Sequence, residues 1–356
     1  MSLKVGTLHA APGEHVFGML EVASSRSGLS PEIPVHLFAG AEDGPTFLVQ
    51  ATIHGNESVG NLGLLRWIQK LDPKNLRGNV IAVPTVNRVG LDLMERGSRI
   101  DGKDISRLYP GNPKGTVSDQ VAYVYFNECI LQADVMLDIH AGGRTGYERY
   151  VLFNADKEPG NPTEKERQRR TLAVAFGLDY AAFFPHGTFG EGAAKAAVDA
   201  AGVLLFTVEF GGATGWFKNG EQNLRDIERG LWNTVKAIGM VDGALEADGP
   251  LCTIYNAGVV IWKPPVDGLF IRKKAFGDHV KAGEAYGILA DPYTGAVLAE
   301  LPSPKDAIVI PSGVEWPTIG ATSVGILGTI DEVVDRRSVD LHITVEPRAA
   351  VSGGRA

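Results

Sequence analysis

The chain has little cysteine: two residues in 356, Cys129 and Cys252. Two isolated thiols are too few for a disulfide framework or a thiolate zinc site, so the reducing cytoplasm is the expected setting. Long apolar runs are missing too, and no stretch reaches the ~18 residues a membrane-spanning helix needs. The opening segment, MSLKVGTLHAAPGEH, has no basic region followed by an apolar core, so a secretory signal is not expected. Blocks of like charge and solenoid-type repeats are absent as well. The formal net charge of -8 argues against attraction to nucleic acid or anionic lipid.

What is present reads as a globular enzyme, 44% hydrophobic and 21% charged. Its length predicts one large domain and a smaller one. Strand-like runs at Val16 to Val22 and Ile33 to Ala39 form an N-terminal β extension within residues 1–40. The apolar run Phe47 to Ile53 has the pattern of a strand covered on both faces. Helical spacing over Val59 to Leu71 follows, then a strand over Asn79 to Val86 and a helix over Ser118 to Leu131. Further strands are expected at Ala133 to Ile139 and Gly202 to Phe210. This alternation predicts an α/β domain over residues 1–245, a mostly parallel mixed sheet flanked by helices. Beyond it, short strands with frequent glycine turns predict an all-β domain over 246–345, and 346–356 read as a small polar tail.

Three strand ends carry groups suited to metal hydrolysis. His54-Gly55-Asn56-Glu57 stands where a buried strand turns into a helix. Zinc takes nitrogen and oxygen ligands of this kind, and Gly55 would ease a tight turn. Alone the motif is weak, since a surface His near a Glu is common. His140 follows the apolar strand at Val135 to Ile139, and ligands of open α/β sheets bind beyond the carboxyl ends of strands. Asp138 shares its strand face and could orient the ring. Glu209 ends the apolar strand Leu204 to Val208; it suits a general base, and a structural ion pair is the alternative. The loop between Arg99 and Gly111 carries Arg99, Asp104, Ser106 and Arg107. Arginines of this kind suit carboxylate or oxyanion recognition, but taken by itself the segment reads as a plain basic loop.

Together these elements resemble the aspartoacylase and succinylglutamate desuccinylase family of the zinc carboxypeptidase-like clan. The resemblance spans residues 45 to 345. His54-Gly55-Asn56-Glu57 matches the family's first zinc motif, and Asp138-Ile139-His140 matches the segment of its third ligand. Val208-Glu209-Phe210-Gly211-Gly212 matches the stretch holding its catalytic glutamate. The resemblance implies one zinc ion on His54, Glu57 and His140, with Glu209 as general base. It implies that Arg99 polarises the scissile carbonyl and that Arg107 grips a substrate carboxylate. Ser106 stands where the family usually has Asn, so the substrate contact differs there.

The implied activity is hydrolysis of the amide of a small N-acylated amino acid or related carboxylate. Acetyl, succinyl and longer acyl groups all remain open, and a dimer or larger assembly is compatible. A peptide-cleaving metallocarboxypeptidase is the alternative with the same chemistry, opposed by the short interval between Glu57 and His140. A non-catalytic binding module on the same scaffold is opposed by the presence of every ligand and the base. The family also implies a C-terminal β domain, and Gly268 to Leu289 resembles the barrel-sandwich hybrids of biotinyl and lipoyl carriers. Lys273 and Lys274 lack a carrier's hairpin-tip context. His186 and Glu191 fall in a glycine-rich loop read as plain surface. His9, His15, His36, His279 and His342 read as surface or strand positions.

Overall fold

The computed structural model describes residues 2–22, 31–141, 149–155, 162–185, 193–211, 220–262, 265–310 and 325–348. A short hairpin, β1 (Leu3–Val5) and β2 (Leu8–Ala10), leads into β3 (His15–Glu21) and β4 (Glu32–Ala39). The alternating region follows as β5 (Glu42–Ala51), α1 (Val59–Ile68), β6 (Arg77–Val83), α2 (Arg88–Leu93), α3 (Val117–Glu128) and β7 (Val135–His140). It continues as β8 (Arg149–Ala155), α4 (Glu164–Ala175), β9 (Tyr180–Pro185), α5 (Ala193–Ala200), β10 (Leu204–Phe210) and α6 (Gly220–Ala237). The last third is β11 (Leu251–Trp262), β12 (Leu269–Arg272), β13 (His279–Val280), β14 (Ala285–Ala290), β15 (Val297–Pro302), β16 (Ala307–Ile310) and β17 (Gly325–Asp335).

One mixed sheet organises the molecule, in the order β13-β16-β17-β11-β9-β8-β10-β7-β5-β6-β4-β3. Its centre is parallel, with β6, β5, β7 and β10 running the same way, and β8 antiparallel to β10. Alternate residues of these strands enter different cores. Val49, Ala51, Leu137, Ile139, Phe206 and Val208 pack with α1, α4 and α6. Leu48, Met136 and Ile81 pack with α3 and the N-terminal hairpin. Both faces being covered explains why β5 and β7 read as nearly unbroken apolar runs. No helix among the described residues is long and apolar enough to cross a membrane. Cys129 and Cys252 are both free and buried.

The C-terminal β domain has its own core of Phe270, Val280, Tyr286, Leu289, Leu301, Val309 and Leu327. Within it β12, β14 and β15 form a three-stranded sheet of their own, while β13, β16 and β17 extend the main sheet through β11, which pairs with β9 on one side and β17 on the other. The chain then returns. Ile343 and Val345 pack on the α/β core. Arg348, at the start of the expected polar tail, donates its backbone N–H to Asp134 at 2.7 Å and its guanidinium to carbonyls of Leu131, Ala133 and Ala201. Residues 341–348 thus fasten to the α/β layer, and a cation with three carbonyl acceptors is no longer a solvated tail.

At the β3 edge, His36 is half-buried, with Nδ1 3.1 Å from His15 Nε2 and its ring 4.6 Å from that of Phe17. Burial, then the charge of His15, pushes the His36 imidazole down to about 4. From pH 6.5 downward the unfolded chain takes up a proton that the folded chain refuses until about pH 4. This contribution is therefore complete above pH 6.5 and lost as pH falls through that window. Discounted for solvent screening it is on the order of 1 kcal/mol. Urea melts at pH 7 and pH 4.5 should show His36→Gln losing less stability than the parent; an equal loss in both would refute this.

Candidate active site

The candidate site at the carboxyl end of the parallel strands is built by register. Gln50 of β5, Asp138 of β7 and Thr207 of β10 stand side by side, forming a polar row in an apolar sheet. The next row on that face, two residues further along, holds His140, Glu209 and Tyr150. Just past β5 the backbone N–H of Glu57 donates to the His54 carbonyl at 3.0 Å, closing His54 to Glu57 into one turn before α1. Thr52, immediately upstream, has a φ of 52° although it is β-branched and buried. Such a conformation costs about 1–3 kcal/mol and recurs at functional sites.

His54, Glu57 and His140 converge. His54 Nδ1 lies 3.0 Å from Glu57 Oε1, His140 Nδ1 lies 3.0 Å from Glu57 Oε2, and the two Nδ1 atoms are 3.2 Å apart. Zinc bonds of 2.0–2.1 Å in a tetrahedron set its ligand atoms roughly 3.3 Å apart, so the spacing suits that ion. The outer ring nitrogens are held by carboxylates, as metal-ligating histidines commonly are. His140 Nε2 lies 2.9 Å from Asp138 Oδ2, and His54 Nε2 lies 3.2 Å from Asp104 Oδ1 and from Ser106 Oγ. All three candidate ligands are more than nine-tenths buried or close to it.

The electrostatics favour positive charge at the centre. Burial alone would push the Glu57 carboxyl up, but hydrogen bonds from His140 and His54 hold it well below the usual carboxylate range. Burial likewise opposes charge on His140, yet Asp138 and then Glu57 raise its pKa well above that of a free imidazole. Burial opposes ionisation of Asp104 too; the His54 contact, Ser106 and Arg96 outweigh it and lower its pKa. The acidic groups that favour a proton here favour a divalent cation for the same reason.

The loop residues are placed less uniformly. Ser106 donates its hydroxyl to Asp104 Oδ1 at 2.6 Å, and Arg107 Nε lies 3.6 Å from Asp104 Oδ2. Glu209 is half-buried at the end of β10, beside His140 on the next strand. Arg99 turns outward, 69% exposed and paired with Glu95. The cation at the centre is instead Arg96, whose Nε donates to Asp104 at 3.2 Å and whose Nη1 donates to Glu57 Oε1 at 3.4 Å. Sequence reasoning missed Arg96 because nothing in its neighbourhood distinguishes it from the other loop arginines. Gly143, Gly212, His186 and Glu191 lie outside the described residues.

Fold and site together define a helix-flanked mixed-sheet α/β scaffold with a buried His-Glu-His centre at the carboxyl end of its parallel strands. Residues 43–237 match the model of the succinylglutamate desuccinylase/aspartoacylase catalytic domain. That is more than half of the sequence, and the chain belongs to this family. A curated relative from Halomonas elongata, named N-alpha-acetyl-L-2,4-diaminobutyric acid deacetylase, is 28% identical over 302 residues, 83% of this chain and 85% of that protein. The solved succinylglutamate desuccinylase from Silicibacter sp. TM1040 has the same fold, with a TM-score of 0.75 at 23% identity over 89% of this chain and 95% of that one. The product-bound ectoine utilization protein EutE (DoeB) of Ruegeria pomeroyi is similar, with a TM-score of 0.74 at 23% identity over 90% and 97% of the two chains.

Gly55 lies in the turn its position suggested, but close approach rather than backbone freedom is what requires glycine there. It has no positive φ. A Cβ there would instead lie 1.9 Å from the Gly90 carbonyl carbon and 2.3 Å from Leu91 N, in the backbone of α2. Backbone cannot yield as a side-chain tip can, so Gly55→Ala must push the turn away from α2. Thermal melts should show a loss of at least ~2 kcal/mol, as for an overpacked core. Wild-type stability in that variant would contradict the close approach.

Proposed function

We propose that the chain is a zinc-dependent deacylase that hydrolyses the amide bond of a small N-acylated amino acid. The observation that carries this reading is the convergence of His54 Nδ1, His140 Nδ1 and the Glu57 carboxylate within 3.0–3.2 Å of one another, with Glu209 on the adjoining strand. Among the described residues, this is also a group of histidine and carboxylate side chains close enough together to hold a metal ion. The name of the Halomonas elongata relative supports an N-acetylated diamino acid as the first substrate to try.

His54, Glu57 and His140 would hold one zinc ion, which when bound supplies Lewis acidity toward a water molecule and the acyl oxygen. Glu209 accepts the proton of the attacking water and returns it to the leaving nitrogen, the two proton transfers amide hydrolysis requires. Arg107 grips the substrate carboxylate, with Ser106 beside it, and Arg99 stabilises the developing oxyanion. For that Arg99 must leave Glu95. Exposed ion pairs of this kind are worth about 0.2–1 kcal/mol, so a substrate oxyanion can displace Glu95 at small cost. The shorter Ser106 leaves room that an Asn amide would fill.

The first test is a hydrolysis screen of zinc-loaded protein against N-acetyl, N-succinyl and N-formyl amino acids, with peptides as comparison. Turnover of one acyl class, lost with a chelator and restored by zinc, supports the reading; release of C-terminal residues from peptides alone would replace it with a carboxypeptidase. Glu209→Gln should keep stoichiometric zinc while kcat falls at least ~100-fold. Unchanged turnover would remove Glu209 from the mechanism.

The two arginines can be separated. Arg99→Ala should lower kcat about 10²- to 10³-fold, the usual loss for one oxyanion donor. Glu95→Gln should leave kcat intact or raise it, since it frees Arg99. Should Arg96→Ala abolish turnover while Arg99→Ala does not, Arg96 takes the oxyanion role.

A further inference from the structure

Gln50 is an anomaly in its own strand. Phe47, Leu48, Val49 and Ala51 around it are apolar, and Gln50 is itself fully buried. A primary amide in such a place costs several kcal/mol of desolvation unless hydrogen-bonded, so its partners indicate its use. Its Nε2 donates to Asp138 Oδ1 at 2.7 Å, and the other oxygen of Asp138, Oδ2, stands 2.9 Å from His140 Nε2. The three residues lie on adjacent strands, with Gln50 directly opposite Asp138 in register.

An ionised carboxylate only accepts hydrogen bonds. Both neighbours of Asp138 must therefore donate: Gln50 through its amide N–H, and His140 through Nε2–H. With Nε2–H committed to Asp138, the proton a metal ion would displace is the one on Nδ1, the atom turned toward Glu57 and His54. The orientation of the Gln50 amide follows from the same logic, since the flipped amide would set two oxygens face to face. Its Oε1 then points away from Asp138, buried and with no partner. The hydroxyl of Tyr109 is also buried, makes no hydrogen bond of normal length, and stands beside the Gln50 amide. Each unpaired buried group costs about 1–3 kcal/mol, so a shift that lets the Tyr109 hydroxyl donate to Oε1 would relieve both.

We propose that Gln50 and Tyr109 are positioning residues: with Asp138 they form a buried brace, Tyr109 to Gln50 to Asp138 to His140, that fixes the His140 ring with Nδ1 aimed at the metal centre. The inference rests on the zinc reading above. It gives the loop from Arg99 to Gly111 a second function. Through Asp104 and Ser106 the loop holds His54 Nε2, and through Tyr109 at its far end it holds His140 Nε2 by way of Gln50. One loop then orients both histidines.

The test measures zinc affinity of the full-length apo protein by competition with a chromogenic chelator, alongside its apo melting temperature. Gln50→Met keeps length and volume but removes the amide. It should weaken zinc binding roughly 10- to 100-fold, the usual loss for an outer-shell partner. Tyr109→Phe should weaken it about three- to tenfold, as for one neutral hydrogen bond. The double variant should be no weaker than Gln50→Met, because Tyr109 acts through Gln50. A residue that merely fills the core would lower the apo melting temperature and leave the zinc affinity of the folded protein unchanged, and that result overturns the brace. If Gln50→Met does not fold, Tyr109→Phe decides, and parental affinity in it overturns the proposal. A parent that binds no zinc overturns the underlying metal reading, a failure distinguishable from that of the brace.

Discussion

The Glu57 carboxylate, buried between two imidazoles, is the constraint on which the site depends. A charge at that depth is tolerated only when every acceptor position is answered. His54 and His140 answer two positions, and the backbone N–H of Ala141 donates to Oε2 at 2.9 Å as a third. That last bond ties Glu57, on the turn after β5, to the first residue beyond β7. The ends of two central strands are thereby locked to one another through a single side chain, and the histidines can move only if Glu57 is left unpaired.

The surroundings serve this arrangement at some cost to themselves. Thr52 holds a left-handed backbone conformation just ahead of the motif. The carbonyls of Ala51 and Thr52 are taken by Val86 and Asn87, so the connection from β6 to α2 is stitched along the turn it shapes. Asn87 also caps α2 through its side chain, accepting from Gly90 N at 2.9 Å. Gly90 is the residue against which Gly55 packs. Helix cap, close backbone contact and the His54–Glu57 turn are thus one assembly, which is why small changes there should register at the His-Glu-His centre.

The C-terminal β domain extends this logic over a longer range. Part of it, β17, β16 and β13, continues the main sheet through β11, and the chain leaves it to pack Ile343 and Val345 back on the α/β core. A β domain hinged on a flexible linker would sample many orientations. One that shares a sheet and is tied again at residues 341–348 has few.

Sequence by itself determined the candidate ligands and base. His54 and Glu57 were legible in the turn that follows the apolar strand β5, and His140 and Glu209 at the ends of the apolar strands β7 and β10, because a strand's carboxyl end is a local property of the chain. Asp138 was legible for the same reason, since period-two alternation puts it on the face of His140. What only the tertiary structure decided are contacts between segments far apart in sequence: Arg96 rather than Arg99 at the centre, Gly55 against α2, Gln50 behind Asp138, Arg348 on the α/β core. A loop arginine or a strand glutamine carries no periodic signal, and its role depends on which distant backbone or carboxylate the fold brings within about 3 Å.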